Sequence, residues 1–132
     1  MHEKPDDFDW VKARTECSIY KTFKDLQRRV EADVAQRNET ASEEEKKRGI
    51  TFHCKAEGQG GDYFVVTATR KKGIVRFFLR DEKIQVVSDD VNATFEATIT
   101  LNNEGDCRLK VNGQELQTWQ FLRMALEEML FD

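Results

Sequence analysis

The chain has 132 residues, a length typical of one domain built around a single hydrophobic core. Its composition, 39% hydrophobic and 35% charged with nine Phe, predicts a folded globular protein and excludes a disordered chain. The net charge of −4, with both signs interspersed, argues against a dedicated nucleic-acid binder, which needs a basic face. No apolar run approaches the roughly 20 residues that span a bilayer, and no apolar signal region follows the first residues. We therefore expect no membrane association and a cytosolic location.

Helical periodicity marks residues 8–38. Asp6 or Asp7 is placed to cap a short helix that begins near Phe8. Ser18 offers a second cap. After it, apolar residues recur at steps of four, three, four and four, which predicts a helix of about five turns with one apolar stripe: Ile19, Phe23, Leu26, Val30 and Val34.

The outward side of the same helix carries acid–base pairs. Asp25 precedes Arg29 by four residues, and Asp33 precedes Arg37 by the same spacing. This spacing is typical of a solvent-exposed helix surface, where each pair adds a few tenths of a kcal/mol.

A charged segment, residues 39–49, follows this helix. It has no large apolar side chain, and Glu43 to Arg48 form an uninterrupted charged block. This composition predicts a mobile loop after a frayed helix end, and a docking tail is the alternative interpretation.

From residue 50 to residue 116 the apolar period changes to two, which predicts β-strands. The central run, Tyr63 to Ser88, reads as three strands joined by turns at Arg70 to Gly73 and at Asp81 and Glu82. With tight turns, alternate side chains of these strands share one face, which we predict to be the core face: Phe64, Val66, Ala68, Val75, Phe77, Leu79, Ile84 and Val86.

Turn residues also predict how the flanking strands connect. Gly58 to Gly61 leads into a strand, which favours a hairpin connection over a phosphate-binding loop. A three-residue loop, Asn103 to Gly105 with Gly105 left-handed, keeps Ile99 and Leu109 on one face. Asn112 and Gly113 then form a type I′ turn into a short last strand.

The carboxyl-terminal segment, residues 118–131, predicts a helix capped by Thr118. Its apolar residues leave only a narrow polar stripe, which is typical of a helix buried on most sides. We therefore predict a single α+β domain over residues 1–132: amino-terminal amphipathic helices, about six mainly antiparallel strands in hairpin order, and a buried carboxyl-terminal helix.

The cysteines are odd in number and widely separated, so we expect no disulfide. Cys54 and Cys107 fall on the apolar phase of their strands, which predicts buried thiols, whereas Cys17 lies between the first two helices. His2 and His53 are the only histidines, and no closely spaced Cys or His pair occurs. We expect no metal and no cofactor.

The second face of the central strands is too apolar for an ordinary wetted surface and too charged for a second core. Its mix of aromatic and Arg side chains is typical of protein interfaces, so we predict a contact with another protein, most simply a second copy of the chain. The alternative is that the carboxyl-terminal helix or a chain terminus covers this face. The candidate interface residues are Tyr63, Val65, Ile74, Arg76, Phe78, Arg80 and Val87.

Two other function classes stay open. A pocket between the sheet and the carboxyl-terminal helix, lined by Phe77, Trp119 and Met124, would bind a small apolar ligand. An enzyme is disfavoured because no nucleophile motif accompanies His53, although carboxylates from distant positions can assemble in space. The sequence thus favours a non-catalytic, self-associating interaction module.

Overall fold

The computed structural model describes residues 4–57, 60–89 and 93–132. Their elements confirm the α+β class, with seven strands where about six are predicted. Gly58 and Gln59, and with them part of the predicted glycine-rich connection, lie outside the described residues. No helix in the described ranges is long and apolar enough to cross a membrane. In chain order the elements are α1 (Trp10–Glu16), α2 (Ile19–Glu39), α3 (Glu43–Arg48), β1 (Thr51–Ala56), β2 (Tyr63–Thr69), β3 (Ile74–Arg80), β4 (Lys83–Ser88), β5 (Ala93–Leu101), β6 (Cys107–Val111), β7 (Gln114–Leu116) and α4 (Thr118–Phe131).

The seven strands form one antiparallel sheet in which each strand pairs with the next along the chain. Two of the connections are the tight turns that the sequence predicts. Asp81 and Glu82 have φ of 52° and 63°, and Asn112 and Gly113 have φ of 51° and 79°. Left-handed residues at both central positions match the twist of the flanking strands, which fixes the hairpin register.

The loop between β5 and β6 also follows its prediction. Ile99 pairs with Leu109 and Leu101 with Cys107. The N–H of Asn102 then donates to the carbonyl of Asp106 at 3.0 Å, which leaves three residues, 103–105, in the loop. Gly105 is left-handed, with φ of 81°. Both apolar phases therefore stay on one face of the sheet.

The core lies between that face and the helices α2 and α4. The predicted stripe of α2 is buried, and Phe23 from α2 packs 5.2 Å from the Phe64 ring, which stacks 4.5 Å from Phe77. α4 lies against α2 and the sheet and buries Phe121, which meets Phe95 edge to face at 5.6 Å. Both helices thus cover the same face of the sheet.

Helix starts agree only in part with the predicted caps. Ser18 caps α2, accepting a hydrogen bond from the backbone N–H of Lys21 at 3.4 Å. The cap of α1 is Asp9, whose carboxylate accepts from the backbone N–H of Lys12 at 3.0 Å, because the preceding residues form a turn. The prediction of Asp6 or Asp7 is therefore wrong. Thr118 is the first residue of α4 and Gln117 its cap.

The predicted loop over residues 39–49 is also wrong, because Glu43–Arg48 form α3. Ser42 Oγ accepts from the N–H of Glu45 at 3.1 Å, and the Glu45 carboxylate accepts from the N–H of Ser42 at 2.9 Å. This reciprocal cap satisfies two free donors of the first turn. Three acids in that turn and three bases in the last one complement the helix dipole.

The expectation of no disulfide is wrong as well. Cys17, after α1, is bonded to Cys107 at the start of β6, with 5.5 Å between their Cα atoms. The bond ties the junction of α1 and α2 to the far part of the sheet. Cys107 is therefore not a buried thiol, and Cys54, half-buried on β1, is the free cysteine.

Candidate interface on the open face of the sheet

The face of the sheet turned away from α2 and α4 is called the open face here. Hairpin pairing places Tyr63 opposite Phe78 and Val65 opposite Arg76. Arg76 in turn pairs with Val87 on β4. The structure thus brings together the seven candidate residues on one surface: Tyr63, Val65, Ile74, Arg76, Phe78, Arg80 and Val87.

No helix of the described residues packs on the open face, since α2 and α4 both bury their apolar sides in the core. The alternative that the carboxyl-terminal helix covers this face is therefore wrong. Most of the candidate residues are half-buried by their neighbours, and Val65 is only 7% exposed. The open face is consequently an apolar centre that no described helix shields from solvent.

An aromatic pair lies on the open face at the start of β2 and near the end of β3. The rings of Tyr63 and Phe78 lie 4.7 Å apart, and the guanidinium of Arg80 lies 4.4 Å from the Phe78 ring. Arg80 thus folds over the apolar centre while its charge stays at the edge. Tyr and Arg in this arrangement are the residue types that most often dominate binding energy at protein interfaces.

Charges of both signs surround the aromatic pair. Arg76 donates a hydrogen bond to the Asp89 carboxylate at 2.8 Å, and this bond raises the pKa of the Arg76 guanidinium above its usual value. Lys83 and Glu96 form a second ion pair at 3.5 Å. Because both ion pairs are largely exposed to water, they contribute little to the stability of the fold and mainly orient the charged side chains.

His53 lies on the same side of the sheet, on the edge strand β1. Its Nε2 is 2.8 Å from the Thr69 hydroxyl, a cross-strand contact at an exposed position. No group of three or more His, Cys, Asp or Glu that could hold a metal ion occurs in residues 4–57, 60–89 and 93–132.

The three residues of the predicted apolar pocket are not brought together. Phe77 is fully buried in the core, whereas Met124 is 53% exposed on the outer side of α4. Trp119 is 49% exposed and lines a cleft near the start of α4 that neither of the other two reaches. These three side chains therefore form no common lining, and binding of a small apolar ligand stays a prediction.

A cationic cluster at the end of α4 was missed by the sequence analysis. Arg37 is buried, with only 9% of its surface exposed. It donates a hydrogen bond to the carbonyl of Leu130 at 2.7 Å, and its guanidinium lies 5.3 Å from the Phe52 ring. Lys71 donates to the carbonyl of Met129 at 2.6 Å. The two cations thus satisfy the last carbonyls of α4 and complement its dipole.

Arg37 also forms an ion pair with Glu45 of α3. The hydrogen bond from Arg37, with help from the Ser42 backbone, lowers the pKa of Glu45 from 4.5 to about 2. One buried side chain therefore joins α2, α3 and α4. The predicted outward pairing of Arg37 with Asp33 is replaced by these contacts.

Comparison of the chain with protein-family models, with curated proteins and with solved structures gives no match.

Proposed function

We propose that the protein is a non-catalytic interaction module that self-associates through the open face. The observation that carries this proposal is the cluster of Tyr63, Phe78 and Arg80 on a sheet face that no described helix covers. An aromatic and Arg centre with a charged rim is the composition of a binding patch.

A second copy of the chain is the partner that the charges favour. The rim of the open face carries cations and acids side by side, as in the Arg76–Asp89 and Lys83–Glu96 pairs. In a two-fold symmetric contact the same surface meets itself, so each copy must offer both signs. A partner whose surface carried charges of only one sign would instead place like charges opposite part of the rim.

The test is the oligomeric state, measured by light scattering across a concentration series. We expect a wild-type dimer and a folded Phe78→Glu monomer, because the substitution removes the aromatic ring from the contact and introduces a charge that dimerisation would have to desolvate. Met124→Glu is the matched control, since it changes an exposed apolar residue on α4 to the same acid. We expect this control to remain dimeric.

Two results would overturn the proposal. One is a wild-type protein that stays monomeric at every accessible concentration. The other is a dimer that Phe78→Glu leaves intact, which would place the contact elsewhere on the surface. Circular dichroism of both variants shows whether loss of the dimer reflects loss of the fold.

The compartment is part of the same proposal. The Cys17–Cys107 disulfide argues against the predicted cytosolic location, because cytosolic thiols are kept reduced. An oxidising compartment accommodates the Cys17–Cys107 bond, and the open face would act there in the same way.

A further inference from the structure

A cleft with a volume of about 520 Å³ lies between the first half of α2 and the region where β6, β7 and α4 meet. This volume falls within the roughly 300–1,000 Å³ of small-molecule sites. The cleft is on the helix side of the sheet and shares none of its lining with the seven residues of the open face.

The lining of the cleft is amphipathic. Leu26 of α2, Leu109 of β6 and Leu116 of β7 supply its apolar wall and are 1%, 3% and 8% exposed. Trp119 stands at the border of the cleft, with its indole N–H donating to Gln117 at 3.0 Å and its ring half exposed. The half-exposed Trp119 ring therefore offers an aromatic surface to an apolar chain or ring, whereas the leucines close the cleft behind it with little exposed area.

Cations outnumber acids around this wall. Lys21, Arg29 and Arg108 line the cleft, against Glu16 and Asp25. Asp25 already pairs with Arg28 at 3.3 Å, and Arg108 with Asp106 at 3.4 Å.

Lys21 and Arg29 differ from Arg108 in their surroundings. Within the described ranges, neither forms a salt bridge to a carboxylate. A guanidinium without a salt bridge offers two parallel N–H donors that match the two oxygens of a carboxylate.

We propose that this cleft binds a small amphipathic carboxylate, with its acid group on the Arg29 guanidinium, Lys21 adding attraction at longer range, and its apolar body against Trp119 and the leucines. The wall that carries Leu109 is held in place by the Cys17–Cys107 bond, since Cys107 itself lines the cleft. The site is independent of self-association through the open face.

The test uses octanoate as the probe and octylammonium as its counterpart of opposite charge, both below their micellar concentrations. Trp10 and Trp119 are the two tryptophans of the chain, so a Trp10→Phe background makes Trp119 emission the readout. We expect a saturable change in emission with octanoate, and binding of octylammonium at least about tenfold weaker, because each rim cation would repel it.

Variants in the same background locate the acid group. Arg29→Gln should weaken octanoate binding about tenfold, the loss of one charge-assisted hydrogen bond. Lys21→Gln should act in the same direction. Arg48→Gln, at an exposed position of α3 outside the cleft, is the matched control and should change nothing.

The outcomes decide the proposal. A saturable octanoate response that Arg29→Gln weakens and Phe78→Glu leaves intact supports a site in the cleft. Equal binding of the two probes, an absent Trp119 response, or equal effects of Arg29→Gln and Arg48→Gln would overturn it. Circular dichroism confirms that each variant is folded before its affinity is compared.

Discussion

The side-chain amide of Asn38 forms two hydrogen bonds with the backbone of Phe52. Its Nδ2 donates to the carbonyl of Phe52 at 2.9 Å, and its Oδ1 accepts from the N–H of Phe52 at 2.8 Å. Phe52 belongs to β1, an edge strand, so the amide takes the place that a neighbouring strand would occupy. The end of α2 thereby occupies the free edge of β1 at Phe52.

Replacing this amide should destabilise the fold. Asn38→Ala removes two hydrogen bonds to a part-buried backbone, and we expect a loss of about 1–3 kcal/mol in the free energy of unfolding. Denaturant titration measures the loss. Asn103→Ala, at an exposed loop position, is the control and should stay within about 0.5 kcal/mol of wild type. Equal effects of the two substitutions would show that the Asn38 contacts contribute little.

Glu45 predicts a specific dependence of stability on pH. Its pKa is lowered in the folded protein from 4.5 to about 2, chiefly by the hydrogen bond from Arg37. The group therefore stabilises the fold above pH 4.5, and this contribution is lost as the pH falls from about 4.5 towards 2. Urea midpoints measured between pH 6 and pH 2, on either side of this window, should fall less steeply for Glu45→Gln than for wild type. Glu44→Gln, an exposed neighbour on α3, should follow the wild-type curve.

The disulfide predicts both a thiol count and a stability change. Denatured but unreduced protein should show one reactive thiol, that of Cys54, and three after reduction. Reduction should cost about 2–5 kcal/mol of stability, since the bond closes a long loop in the unfolded chain. The double variant Cys17→Ala/Cys107→Ala should lack any response to reductant. Three reactive thiols without reductant would contradict the bond.

Cys54 should react slowly while the protein is folded. Burial, with a smaller contribution from the charge of Glu31, raises the pKa of its thiol from 9.0 to about 11. At pH 8 the reactive thiolate is then about 100-fold scarcer than in the unfolded chain. Labelling rates with a thiol reagent, in native buffer and in denaturant, measure the ratio. Equal rates in the two conditions would place Cys54 on an open surface.

Strand faces were the most predictable part of this fold. Alternation along β2, β3 and β4 decides which side chains share a face, and the two-residue turn at Asp81 and Glu82 fixes the register. The same alternation placed the seven candidate interface residues together. Alternation is silent on what such a face contacts, because a partner or a covering element comes from outside the strands.

Contacts between residues far apart in the sequence could not be predicted from local sequence patterns. Asp33 stands four residues before Arg37 and favours an outward pair, yet Arg37 turns inward to the Leu130 carbonyl, 93 positions away. The partner of Cys17 is likewise 90 positions away. For α3 a local signal did exist, since Ser42 and Glu45 have the spacing of a capping box. α3 buries no residue, so its segment lacks the apolar periodicity by which the longer helices are predicted.

The Cys17–Cys107 bond also orders events during synthesis of the chain. A ribosome releases Cys17 first and Cys54 next, long before Cys107. Until β6 has emerged, the thiol of Cys54 is the only one within the same chain that Cys17 can meet. We expect β1 to pair early with β2 and to pack beneath α2, which would hold Cys54 apart from Cys17 while the later hairpins are added.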